Sequence, residues 1–82
     1  MNIFEVHKQQ SGKSYRQLAS ALGASKSYIR AILHGPGDHD NLMFLIRIGA
    51  QIGMDDQFVR DCWVVLRRTT LLKRINKRAA HE

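Results

Sequence analysis

Residues 14–35 read SYRQLASALGASKSYIRAILHG, and two short helices joined by a tight turn can be read from them directly. Ser14 is a good N-cap, and Gln17 three residues later completes the reciprocal side-chain to backbone pairing that satisfies otherwise orphaned amides. Tyr15, Leu18, Ala19 and Leu22 then recur at i, i+3, i+4 and i+7, which predicts one apolar stripe, with Arg16, Gln17 and Ser20 facing away. Ala19 is small where another helix must cross closely, and Gly23 can take the left-handed conformation that ends a helix in a sharp turn. Ser25 caps the next helix, which Gly35, Pro36 and Gly37 stop after His34. At about 100° per residue, Ile29, Ile32 and Leu33 gather on one side of it. Ser27, Arg30, Ala31 and His34 fall on the opposite side, with Lys26 and Tyr28 on the flanks. That outer ridge is small and hydrogen-bonding beside a cation; a helix serving only as core cover could carry the same polar face, but few do so in place of mixed Glu and Lys. Small residues let its backbone approach a groove.

The flanking segments extend the same reading. Residues 2–10 predict a first helix that turns Ile3 and Val6 inward, with Phe4 and His7 as further inward candidates, before Ser11 and Gly12 stop it. Residues 38–41 offer several caps for a fourth helix over 42–52, with Leu42, Leu45, Ile46, Ile48, Gly49 and Ile52 as its apolar contacts and Gly53 closing it. Asp55 and Asp56 suit the positive end of a fifth helix running to about Asn76. There is one Pro in the chain, six Gly and no strand-like alternation, so the expected fold is all-α: a five-helix bundle around the residue 14–35 unit. Residues 1–54 form its core and residues 55–82 a C-terminal helix with a basic tail, in one compact domain.

Eighty-two residues make a single small domain, short enough that association with a partner is a common source of stability. Thirteen Lys and Arg against seven Asp and Glu leave a net charge of +6, which favours a polyanionic partner, nucleic acid or an acidic membrane surface. No apolar run approaches the roughly 18 residues a bilayer span needs, and MNIFEVHKQQ lacks the basic-then-apolar layout of a signal peptide. A soluble, cytoplasmic protein that does not enter the membrane is the expectation. Cys62 stands alone, which excludes an internal disulfide, a CxxC redox pair and a thiolate zinc site, and it reads as a small buried apolar residue. Four scattered His, no carboxylate pair and no glycine-rich phosphate loop argue against an enzyme, and no metal, cofactor or small-molecule ligand is expected.

A capped helix, a glycine turn and a second helix with a polar outer face are the parts of a DNA-reading helix-turn-helix. The residues resemble the Cro and lambda-repressor type of that motif, the XRE family: Ser14, Leu18-Ala19, Leu22-Gly23, Ser25, Ile29, Ile32 and Gly35, continuing into LIRIGAQIG at residues 45–53. The short length and the residue 13–35 segment also resemble the small immunity repressors of Pf-type filamentous prophages. The resemblance implies a lambda-repressor-like fold and a transcriptional repressor of double-stranded DNA. Two positions depart from the family pattern. Tyr15 stands where Gln often follows the cap, and the loop after the third helix reads Asp38-His39-Asp40, whose acids repel phosphate unless they cap the fourth helix.

With the third helix in the major groove, Ser25, Lys26, Ser27, Tyr28, Arg30, Ala31 and His34 are the expected base-reading residues. Arg30 leads them, because its planar fork matches the O6 and N7 acceptors of guanine, while the Ala31 methyl suits that of thymine. Lys13, Ser14, Tyr15, Arg16 and Gln17 are the expected backbone contacts, fixing register without reading sequence. One module makes few base contacts, so a homodimer on a palindromic operator, with half-sites about 34 Å apart, is expected. Along the fifth helix Phe58, Cys62, Val65, Thr69 and Leu72 alternate steps of four and three, and Val59, Trp63, Leu66 and Ile75 make the stripe wider than one small core needs. Phe58, Val59, Cys62, Trp63, Val65, Leu66 and Leu72 are therefore the expected two-fold interface. An antitoxin that binds a toxin as well as its own promoter is the alternative, since many antitoxins use this fold. The run from Arg67 to Arg78, with no acid between Asp61 and Glu82, is either unspecific phosphate attraction or a solvated face.

Overall fold

The computed structural model describes residues 1–79, and the last three residues of the basic tail lie outside it. The described residues form helices and no strand: α1 (Ile3–Ser11), α2 (Tyr15–Leu22), α3 (Lys26–His34), α4 (Leu42–Gln51) and α5 (Asp56–Ala79), with a 3-10 turn, Pro36–Asp38, between α3 and α4. The all-α expectation of five helices is met. Side-chain caps mark the starts of the first four. Asn2, Ser14, Ser25 and Asn41 accept from the amides of Glu5, Gln17, Tyr28 and Phe44, so the cap of α4 is Asn41 and not an acid of the preceding loop. Both Asn2–Glu5 and Ser14–Gln17 close reciprocally. Gly23 ends α2 at φ 64, a left-handed backbone that a side chain disfavours, and two residues later Ser25 starts α3.

Every helix contributes to one core. Phe4, Leu18, Ile29, Ile32, Leu33, Leu45, Ile48 and Val59 are fully enclosed, joined by Leu22, Phe44, Ile52 and Met54. In α1 the expected rotation is corrected: Phe4 is the buried residue and Ile3 is exposed, because the larger ring takes the inward position. Val6 and His7 are half-buried, and the His7 ring lies edge-on to Phe58 at 6.1 Å. A second correction concerns Val59, expected at an intermolecular interface but 0% exposed. Gly49 of α4 lets α5 come so close that a Cβ there would lie 2.6 Å from the Val59 Cγ2. The position is spent on the chain's own core.

The middle of α5 packs across the Pro36–Asp38 turn. A Cβ on Gly37 would lie 2.5 Å from the Leu66 carbonyl oxygen and 2.6 Å from its carbon, so only glycine permits this approach of backbone to backbone. Around it the Trp63 indole N–H donates to the His39 carbonyl at 3.2 Å, Arg67 donates to the Gly37 carbonyl at 3.2 Å and pairs with Asp40, and the Thr70 hydroxyl donates to Asp38 at 3.2 Å. The acids of the loop are thus tied to α5. Because backbone cannot yield as a flexible side chain does, Gly37→Ala is expected to destabilise the domain by about 1–3 kcal/mol. An unchanged thermal midpoint for that variant is the result that would contradict this packing.

A long-range tie also runs through Asn2. While its Oδ1 caps α1, its Nδ2 donates to the Leu33 carbonyl at 2.7 Å, satisfying a carbonyl in the last turn of α3. Asn2→Asp keeps the acceptor and loses the donor, whereas Asn2→Ala loses both. Stability is expected to fall in that order, with Asn2→Ala lower than wild type by about 1–2 kcal/mol in chemical denaturation.

Candidate nucleic-acid interface

Burial of Ile29, Ile32 and Leu33 fixes the rotation of α3, and Ser25, Lys26, Ser27, Arg30, Ala31 and His34 are consequently exposed, as expected. They form one surface along the helix. Tyr28 lies at its edge: its ring stacks at a tilt on Phe44, 5.1 Å between centroids, and its hydroxyl accepts from the Asn41 amide at 3.2 Å. That side chain is engaged with α4, leaving it 38% exposed.

Arg30 is held rather than loose. Its guanidinium carbon lies 4.9 Å from the centre of the Tyr15 ring, and the Lys8 ammonium approaches the same ring at 4.2 Å. Tyr15, expected at the nucleic-acid backbone, is a half-buried platform for two cations from two other helices. Lys8 was not among the expected site residues. No short-range pattern reveals it, because its relation to Arg30 exists only once α1, α2 and α3 have packed.

Among the other expected backbone residues, Arg16 is exposed, and Ser14 and Gln17 are occupied with each other's amides at the start of α2. The Lys13 ammonium donates to Gln51 at 3.0 Å, tying the α1–α2 corner to the end of α4. Among the described residues none of Lys8, Lys13, Arg16, Lys26 and Arg30 is in an ion pair; the pairs formed are Glu5–His34, Asp56–Arg60 and Asp40–Arg67. The exposed face of α2 and α3 therefore keeps its positive charge. No three His, Cys, Asp or Glu side chains of the described residues gather into a metal-binding group.

His34 sits at the end of the α3 surface with its Nδ1 3.0 Å from the Glu5 carboxylate. The Asn2 backbone N–H and then His34 hold the Glu5 carboxyl below its ordinary 4.5, against an opposing push from burial. A depressed carboxyl stabilises the fold above its unfolded value and loses that contribution as the pH falls through the folded value. The stability difference between the wild type and Glu5→Gln is accordingly expected to shrink as pH is lowered below 4.5, read from thermal midpoints across the acid range.

The residues expected at a two-fold interface separate into two sets. Phe58, Val65 and Leu72 are exposed, Val65 at 61%, whereas Cys62, Trp63 and Leu66 are half-buried against the core and Val59 is inside it. Burial and neighbouring Asp61 push the Cys62 thiol up, away from the reactive thiolate. Val64, Leu71 and Ile75 are exposed as well, so the outer side of α5 carries more apolar surface than the expected set contained. A cleft of about 330 Å³ beside it is lined by Ile3, Asp61, Cys62, Val65 and Leu66. No helix of the described residues is long and apolar enough to cross a membrane.

Comparison of the chain with protein-family models, with curated proteins and with solved structures found no match.

Proposed function

We propose that this chain is a sequence-specific DNA-binding repressor of the XRE helix-turn-helix type, with α3 as the helix that enters the major groove. One observation carries the reading: Ser27, Arg30 and Ala31 stand together on the exposed side of a short capped helix, with Arg30 braced on Tyr15 and no carboxylate of the described residues paired to it. A guanidinium oriented in advance loses less freedom on making a bidentate contact to guanine, and the small neighbours let the helix approach the base edges. Arg16, Lys26 and Lys8 supply charge for flanking phosphates. The prophage immunity role is the narrower form of the same reading, resting on the resemblance of residues 13–35, and it places the protein in a bacterial cytoplasm.

The exposed apolar side of α5 supports action as a homodimer. Val64, Val65, Leu71, Leu72 and Ile75 lie on one helix with no covering segment among the described residues. An isologous contact along that side would place two α3 helices on successive major grooves of a palindromic operator. A protection footprint on the DNA flanking the chain's own gene tests both parts, with two protected half-sites about one helical turn apart as the expected pattern. Absence of any protected segment at saturating protein would overturn the DNA reading, and a monomer mass by light scattering at the same concentration would overturn the dimer.

A further inference from the structure

A second cleft, of about 480 Å³, lies between the latter part of α5 and the end of α3 with its following turn. Its volume is that of an ordinary small-ligand site. Lys73, Arg74 and Lys77 line it from α5, facing His34, Gly35 and Asp38. The three cations follow Thr70 at i+3, i+4 and i+7, so they continue the helix face that Thr70 and Leu66 turn toward the Pro36–Asp38 corner. The anchoring contacts of Gly37, Arg67 and Thr70 therefore set where these cations stand. Among the described residues Asp38 is the single acid lining the cleft, and it already accepts from Thr70. None of Lys73, Arg74 and Lys77 is in an ion pair among the described residues, and all are exposed.

We propose that this cleft is a phosphate-binding site. Three exposed ammonium and guanidinium groups on one helix face, against one engaged carboxylate among the described residues, match a compact anion better than an apolar or cationic ligand. His34 belongs both to the cleft and to the exposed surface of α3, so a phosphodiester of DNA held by α3 is one source of the phosphate, and in that form the proposal rests on the repressor reading. A free phosphorylated compound is the other source, and it requires no DNA.

The full chain carrying Lys73→Gln, Arg74→Gln and Lys77→Gln is to be compared with one carrying Arg47→Gln, Arg68→Gln and Arg78→Gln, which removes the same charge from exposed positions outside the cleft. Circular dichroism establishes that each is folded. On a mixed-sequence duplex, the slope of log affinity against log salt is expected to become shallower by about 1 in the cleft variant, as loss of one phosphate held in the cleft at about 0.9 per phosphate requires, and to change far less in the control. In parallel, inorganic pyrophosphate is titrated into wild type and both variants and followed by amide NMR. Shifts at Gly35, Gly37, Thr69 and Thr70 that vanish only in the cleft variant identify a free phosphorylated compound as a ligand. If pyrophosphate moves these amides but no duplex binds, the repressor reading falls and the phosphate site stands. Equal slopes for the two variants with no pyrophosphate shifts overturn the site, while loss of operator binding in Arg30→Ala would still uphold the repressor.

Discussion

Val59→Asp is expected to unfold the domain, while Val65→Asp, six residues further along α5, is expected to leave it folded. The two valines look interchangeable in a stripe of alternating three and four steps, yet one is 0% and the other 61% exposed. A carboxylate at Val59 would be enclosed near Gly49 and Met54 with no cation to pair with, at a cost of several kcal/mol. That is a large part of the roughly 5–15 kcal/mol that holds a domain together. At Val65 the carboxylate stays in water, and because Val and Asp have similar helix propensities the cost is small, about a few tenths of a kcal/mol. Val65→Asp does, however, place like charges against each other across the proposed two-fold contact. The expected outcome is a folded chain whose mass by light scattering falls to the monomer and whose operator affinity falls with it. A cooperative wild-type-like transition for Val59→Asp would show that α5 does not pack on α4 as described.

Arg30→Ala is expected to weaken operator binding by about 1–3 kcal/mol, roughly 5- to 150-fold, and to relax the preference at one base pair. Arg16→Ala is expected to weaken operator and random duplex alike, and to make the salt slope shallower by about one. The contrast follows from position. Arg30 stands on the exposed side of α3 and is braced 4.9 Å from the Tyr15 ring centre, whereas Arg16 is exposed in the first turn of α2. Arg30→Lys should fail to restore the base preference, because a point charge lacks the planar fork. Quantitative gel shifts against a panel of single-base operator changes check this. Operator affinity and base preference unchanged in Arg30→Ala would refute the assignment of α3 as the reading helix.

Much of the bundle was legible because its signals are short in range. Ser14 and Ser25, read as caps, reach amides three residues ahead, as does Asn41 from a segment offering several caps, and Gly23 acts on its own backbone angle; Asn2, read as the first residue of α1, caps it instead. The burial of Leu18, Leu22, Ile29, Ile32 and Leu33, and the exposure of Lys26, Ser27, Arg30 and Ala31, follow from helical spacing once the apolar side turns inward. The spacing failed where two readings of one helix were equally periodic. In α1 both Ile3 and Phe4 start an apolar row, and in α5 the row is wide enough to feed a core and an outer surface together. Phe44 and Met54, both buried, were missed, the first at the edge of α4's apolar row and the second outside any helix.

The sequence by itself determined an all-α chain with its helix starts and turns, a positive net charge, and an α3 whose polar ridge lies opposite its apolar row. Caps, glycine turns and three- and four-residue spacings act within about one helical turn, so no tertiary contact is needed to read them. Only the tertiary structure decided which of the α5 apolar residues are used internally, since that depends on how near Gly49 and Gly37 allow α5 to approach. It also decided the partners of the charges. Arg67 is drawn to Asp40, Glu5 to His34, and Lys8 and Arg30 to one Tyr15 ring, while Lys73, Arg74 and Lys77 stand beside the end of α3. These pairings join residues far apart in the chain, and a side chain's reach becomes a contact only when packing has brought its partner within a few ångströms.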